Sequence, residues 1–324
     1  DLEVQIATQA PARTFVAGAL TLPAKKFIDI CRALPDKATI ELKSDAERAV
    51  VRSGRSRFTL GTLPAEDYPT LEDTVAVTKL TLEQGVLKRL FDKTAFSMAQ
   101  QDVRHYLNGL LLELAPGRMR AVATDGHRLA KAETMLMALD TWEQTLQIIV
   151  PAKSVTELKR LLSTSDDAVE LEFGERALVV RLGPTAITTK LIDGRYPEYE
   201  RVIPRHLDHR ATAQRDALRA ALQRTAILSN EKFKGVRIAF APGDPGLMTL
   251  ESNNPEREEA RDELEIAFSG AETTIGFNIS YLMELLNIID GPTVEISFND
   301  GNGSALWRDP AGDGEIYVVM PMRL

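Results

Sequence analysis

The chain repeats itself, and this limits its fold more tightly than any single motif does. The segments TLPAKKFIDICRAL from Thr21, IVPAKSVTELKRLL from Ile149 and GFNISYLMELLNII from Gly276 share one pattern. Each runs from a short β-type stretch through a Pro or Asn into an amphipathic helix. Pro23, Pro151 and Asn278 hold the same place in the three copies, about 128 residues apart. A proline in the first helical turn loses nothing, because that N–H has no helical partner, and asparagine is a good cap. All three positions therefore predict a helix start.

Two further registers agree. EDYP (66–69) matches DGRYP (193–197) at the same interval, and the helical stretch VLKRLFDKTAFSMA from Val86 resembles ALRAALQRTAILSN from Ala217, with Thr94 aligned to Thr225. Three full units of this size need more than the 324 residues present, so the arithmetic predicts that the chain opens part-way into its first unit. Asp1, rather than Met, as first residue fits that expectation. Between the helices, AVVRSGRSRFTL, RALVVRLG and TVEISFND alternate apolar and polar residues and predict half-buried antiparallel strands. The class is α+β, with two helices on a strand-rich sheet in each repeat. The domains are predicted as 1–79 (the remainder of the first), 80–207 and 208–324.

Composition suits two or three ordinary domains, with 44% hydrophobic and 27% charged residues. No apolar run approaches the roughly 18 residues of a membrane helix and no signal pattern opens the chain, which points to the cytoplasm and to no membrane partner. Cys31, alone in FIDICRAL, reads as core filling.

A net charge of -8 argues against a protein coated in phosphate contacts. The predicted helices are nevertheless basic: Lys25, Lys26 and Arg32 against Asp29; Lys88, Arg89 and Lys93 against Asp92; Lys153, Lys159 and Arg160 against Glu157; Arg215, Arg219 and Arg224 against Asp216. Arg215 and Arg219 share a helical face opposite Leu218 and Leu222. Each helix alone reads as a solvated face. Set around a common axis, all four would present a surface for sequence-independent attraction to phosphate, with no base-reading motif. The helix from Ile279 breaks the pattern, carrying Glu284 and no basic residue.

Phosphate loops, dinucleotide fingerprints and nucleophile elbows are absent from the sequence. His105, His127, His206 and His209 form no HExxH, and the last two sit in the polar connector RHLDHR. Asp125 and His127 in ATDGHRLA admit an acid–base hydrolase reading, but Asp-Gly between apolar runs is a turn signal. No catalytic residue, metal or cofactor is predicted. A repeat scaffold that never meets DNA is the other alternative.

DVRHYLNG (102–109), ATDGHRLA (123–130), LSNEKFKGVR (228–237), GFNISY (276–281) and the terminal YVVMPMRL resemble the bacterial DNA polymerase III beta subunits, the sliding clamps, and the resemblance runs the length of the chain. It implies three tandem clamp domains, the first incomplete, with antiparallel sheets outside and two helices of each facing a central hole. Two chains would join head to tail around duplex DNA as a processivity factor without a catalytic centre. The implied partners are a clamp loader, the polymerase III alpha subunit and other polymerases or repair proteins that carry short Gln-Leu-rich peptides.

Carried over residue by residue, the implied peptide groove is Arg104, Leu107, Thr124, Gly126, His127, Arg128, Leu129, Pro197, Arg201, Val202, Phe233, Asn278, Tyr281, Ser304, Val318, Val319, Met320, Pro321, Met322 and Arg323. Asn302 stands where the family has an apolar residue. The implied DNA contacts are Lys25, Gln101, His105 and Tyr106, with His105 in place of the usual phenol. The implied ring joint pairs Arg48, Arg55 and Arg57 with Glu256, Glu258, Glu259 and Asp262, and adds Ile227 and Leu228. Without the resemblance, those last two read as ordinary core.

Overall fold

The computed structural model describes residues 2–45, 47–71 and 75–323; Asp1 and Leu324 lie outside them. The chain forms two compact units, Asp1–Asp73 and Thr74–Leu324. The first holds β1 (Val4–Thr8), α1 (Ala24–Ala33), β2 (Glu41–Asp45), β3 (Arg48–Ser53) and β4 (Ser56–Gly61). β2, β3 and β4 form an antiparallel meander, with Leu42 opposite Val51 and Val51 opposite Phe58. Gly54, at φ +57°, makes the tight β3–β4 turn. α1 packs loosely and buries none of its residues. Cys31 is accordingly half-buried, which corrects its reading as core filling.

The second unit begins with β5 (Thr78–Glu83), α2 (Gln84–Thr94), β6 (Gly109–Ala115), β7 (Arg118–Thr124), β8 (Arg128–Met135), β9 (Leu146–Pro151) and α3 (Ala152–Leu161). β10 (Ala168–Phe173), β11 (Ala177–Leu182) and β12 (Thr185–Lys190) then pair with β5 in the antiparallel order β12-β11-β10-β5. Next come β13 (His209–Gln214), α4 (Arg215–Ala226), β14 (Gly235–Ala241), β15 (Gly246–Asn253), β16 (Glu259–Ser269) and β17 (Thr273–Asn278). The chain closes with α5 (Ile279–Ile288), β18 (Thr293–Phe298), β19 (Ala305–Arg308) and β20 (Glu315–Val319).

A single sheet spans both repeats of this unit in the order β17-β14-β15-β16-β13-β18-β19-β20-β8-β7-β6-β9. The seam is β20 against β8, with Val318 opposite Leu129 and Val319 opposite Arg128. α4 and α5 bury Leu218, Leu222, Leu282, Leu285 and Leu286 on a floor that includes Phe240, Phe277, Phe298 and Trp307. The rings of Phe240 and Phe298 lie 4.6 Å apart, and Trp307 meets Phe277 edge-on at 5.8 Å.

The three aligned positions are indeed helix starts. Pro23 and Pro151 are the N-caps of α1 and α3 without a side-chain bond, while Asn278 accepts from the Ser280 and Tyr281 N–H groups at 2.9 and 3.4 Å. Ring restraint and a carboxamide acceptor are two solutions to one problem.

The expectation of half-buried strands needs correction. β18 is buried on both faces. Val294, Ile296 and Phe298 face the core, but Glu295 and Ser297 on the other side are also covered, because Arg308 reaches Glu295 at 2.7 Å and Arg210 at 3.7 Å. Cross-strand ion ladders cover other outer faces in the same way: Lys79 and Arg181 both hold Glu172, and Arg120 lies between Glu113 and Glu133. Alternation survives in the sequence while arginine stems take the place of water.

Replacing Asn278 with Ala removes the acceptor at the start of α5 and should cost about 1 kcal/mol in denaturant unfolding, whereas Asn278→Asp should stay within a few tenths of the parent.

Candidate functional site

The β7–β8 hairpin turn (125–127) meets the end of β20, and the chemistry concentrated there starts from Asp125. Its Oδ1 accepts from the backbone N–H groups of His127 and Arg128 at 2.9 and 3.0 Å, and its Oδ2 from Arg128 Nε at 3.1 Å. Gly126 at φ +91° completes the turn. Asp125 is thus spent on the turn, which favours the turn reading over the acid–base one.

Arg128 is 8% exposed and joins the two repeats. Its guanidinium lies 4.5 Å from the Tyr281 ring centre and 5.2 Å from that of Phe96, donates to the Phe96 carbonyl at 2.7 Å, and pairs with Glu284 at 2.8 Å. Burial raises the Tyr281 hydroxyl's pKa. His127 stacks on the same tyrosine at 6.4 Å, and its carbonyl accepts from Met320 N–H at 2.9 Å.

Beside this turn lies an apolar patch made of Leu129, Val318, Tyr196 and Tyr199, with Tyr106, Ile203 and Leu306 packed on it. Tyr196 OH accepts from the Thr124 N–H at 3.1 Å, and burial pushes this phenol far above its usual pKa. Tyr199 N–H donates to the Pro197 carbonyl at 2.7 Å, tying the segment of Pro197, Arg201 and Val202 to the patch. The rims are exposed: Val202 at 42%, Met320 at 36%, and His127 and Arg201 as well. Leu129 and Val318 are its buried floor, Leu107 is buried, Val319 turns to the core under α4 and α5, and Asn278 is occupied as a cap. Arg104 forks onto Asp102, holding that carboxyl down at about 2, and reaches the Asp125 carbonyl at 3.3 Å.

Not every predicted groove residue belongs to this patch. Phe233, Met322 and Arg323 line a separate cavity of about 630 Å³ over β14, β15 and β16. Ser304 and Pro321 are half-buried, and Asn302 is exposed in a turn accepted by Asp300.

Among the implied DNA contacts, Lys25, Gln101 and His105 are exposed, while Tyr106 packs on the patch. The joint residues Arg48, Arg55, Arg57, Glu256, Glu258 and Glu259 are exposed. Asp262 is instead engaged by Arg224 at 2.6 Å, which lowers its pKa. Ile227 is 77% exposed and Leu228 half-buried, which corrects their reading as ordinary core. The reason is their position just past the end of α4.

The picture of freely presented basic helices also changes. Arg89 reaches Glu315 at 2.6 Å; Lys93 is 8% exposed and binds the Ile288 carbonyl and Asp290; Lys88 and Lys159 share Asp92. Arg215 bonds to the Ile289 carbonyl and Arg219 to Asn287. Much of this charge holds the second unit together. His209 packs on Phe298 rather than standing at the surface, and the described residues contain no group of three or more His, Cys, Asp or Glu placed for a metal.

Sequence reading missed the support beneath the patch. Arg120 bonds Glu113 at 2.9 Å and Glu133 at 2.7 Å, and meets Tyr199 OH and Glu200 at 3.4 Å. Gln147 closes the ladder onto Glu113 at 2.6 Å. Burial pushes the Tyr199 hydroxyl up to about 12, and the available signal in the sequence was the repeated Tyr-Pro pair at Tyr196.

Family models place the chain. The DNA polymerase III beta subunit N-terminal, central and C-terminal domain models match residues 1–72, 81–198 and 200–323. The chain belongs to the DNA polymerase III beta subunit family. Its function is that of a sliding clamp, a processivity factor and not the catalytic subunit. It is 46% identical to the beta sliding clamp of Vibrio cholerae, covering 100% of this chain and 87% of that one. It is also similar to the crystal structure of the Pseudomonas aeruginosa beta subunit, at 44% identity and a TM-score of 0.95 with the same coverage. The beta sliding clamp of Caulobacter crescentus, crystallised with polyethylene glycol at a beta-motif tethering region, is 36% identical with a TM-score of 0.92, over 100% of this chain and 87% of that one.

Two outcomes are expected. Arg128→Met leaves Glu284 and Asp125 without their cation and should cost about 3 kcal/mol in urea unfolding, with Arg128→Lys only a partial rescue. Burial opposes ionisation of Glu133, but its bonds to Arg120 and Lys131 prevail and lower its pKa below 4.5. The carboxylate's contribution is therefore complete above about pH 4.5 and lost as pH falls through the lower folded value. The stability difference between the parent and Arg120→Met should be constant at neutral pH and shrink below that point.

Proposed function

We propose that two copies of this chain join head to tail into a ring that encircles duplex DNA, and that the patch beside His127 receives short peptides from the proteins it tethers. The observation that carries the peptide reading is the site's construction: a fully buried apolar floor of Leu129 and Val318, accessible rims at Val202, His127 and Met320, and a turn fixed by Asp125 and Arg128. Such a site accepts apolar anchors, and a methionine at the rim lets it adapt to several of them. Gly126, Thr124, Arg104, Pro197, Arg201, Tyr281, Ser304 and Pro321 complete it. The partners are the polymerase III alpha subunit, other polymerases or repair proteins, and the clamp loader that opens the ring.

For closure, the exposed arginines Arg48 on β3, Arg55 in the β3–β4 turn and Arg57 on β4 would meet Glu256, Glu258 and Glu259 of the second copy, with exposed Ile227 supplying apolar contact. β16 supports this, since among the described residues only Ala267, Phe268 and Ser269 pair with β13 and no other strand lies along the rest of that edge. Exposed ion pairs would orient the joint more than hold it. DNA would be held topologically, with Lys25, Gln101 and His105 touching phosphate without reading bases.

The test is retention. After loading, the protein should stay on a closed circular duplex and leave once the circle is cut, with light scattering giving twice the chain mass. Ile227→Lys should yield monomer of unchanged thermal stability. Equal retention on circular and linear DNA would overturn the ring. Separately, Val202→Glu should weaken a fluorescent Gln-Leu-rich peptide ending in Phe at least about tenfold, the loss of roughly 1.4 kcal/mol.

A further inference from the structure

The outer sheet faces of the second unit are closed by ion ladders, and the one over β14, β15 and β16 is incomplete. Arg237, Glu251 and Arg261 lie in cross-strand register there. Arg261 pairs with Glu251 at 3.4 Å and with Glu263 at 2.6 Å, so Glu251 already has its cation. Arg237, exposed on β14, forms no ion pair among the described residues, and neither does Arg323.

Both line the 630 Å³ cavity, which has room because Gly235, two residues before Arg237 on the same face, has no side chain. The backbone brings the two arginines to one end of it. Gly276 of β17 is the register partner of Arg237, and its carbonyl accepts from the Met322 N–H at 2.8 Å, so Arg323 follows directly on a residue anchored beside Arg237. Phe233, 55% exposed, and Met322 add apolar wall. A second carboxylate in the lining, Glu259, sits opposite Asn253 and two residues before Arg261 on the same face of β16, so its near cation is Arg261, two strands away from Arg237.

We infer that this cavity is an outlying subsite of the peptide groove that takes a carboxylate side chain flanking the apolar anchors of a bound peptide, with Arg237 and Arg323 as its cations. The inference rests on the groove reading proposed above. Two free guanidiniums beside an apolar wall select an acidic residue on an extended peptide over a basic or neutral one, because guanidinium forks onto carboxylate. The cavity continues the tail that begins at Met320, so a peptide longer than its apolar core reaches it without a change in the floor. Both cations are near solvent, which makes the gain moderate and sensitive to salt.

The experiment uses the full chain and three fluorescent peptides: a Gln-Leu-rich core ending in Phe, the same core with three glutamates added before it, and the same core with three glutamates after it. One of the two acidic extensions should bind about three- to fivefold tighter than the core at low salt, an advantage that disappears in high salt. In Arg237→Gln the advantage should vanish while affinity for the bare core is unchanged, and in Arg237→Glu the extended peptide should bind more weakly than the core. The subsite is overturned if neither extension gains, or if Arg237→Gln keeps the gain. The groove reading fails differently: the bare core itself would not bind, or Val202→Glu would leave it bound.

Discussion

Everything at the functional end of the second unit depends on the seam where β20 completes the hairpin of β7 and β8. A strand from the last repeat supplies the backbone partners of Leu129 and Arg128, so the floor of the groove exists only while the two repeats share one sheet. The seam is held by more than its ladder. Arg128 reaches Glu284, Tyr281 and Phe96 at once, and Arg89 and Lys93 bring α2 onto Glu315 and Asp290. A buried guanidinium gains little over an apolar substitute, but it fixes orientation, because it must meet Asp125, Glu284 and the Phe96 carbonyl at once. Orientation is what a groove between repeats requires.

The sequence displayed the periodic parts of this design clearly. Pro23, Pro151 and Asn278 mark helix starts through local chemistry that does not depend on tertiary context. The Asp-Gly turn was legible for the same reason, since Asp125 satisfies its own hairpin. The proposed groove residues follow from the family resemblance alone, because Leu129 and Val318 look like any strand interior until β20 is known to lie beside β8.

What pattern reading could not supply was the fate of each charge. Lys93 and Arg224 count as basic helix residues in a sequence, yet one is buried against α5's carbonyl end and the other neutralises Asp262. Charge counting along a helix records spacing but not partners several dozen residues away. Burial failed at Cys31 and Ile227 for a related reason. An apolar residue in an amphipathic stretch is core only if something packs over it, and α1 packs loosely while Ile227 lies beyond the last turn of α4.

The same ladders explain how an acidic chain can suit a ring around DNA. Cations locked into Glu113, Glu172, Glu295 and Glu315 contribute no attraction at distance, so the second unit's long-range field is weaker than its tally of lysine and arginine implies. A clamp that must move along its track gains from exactly this weakness, since each firm phosphate contact would raise the barrier to sliding. In the ring proposed above, retention would come from closure rather than affinity.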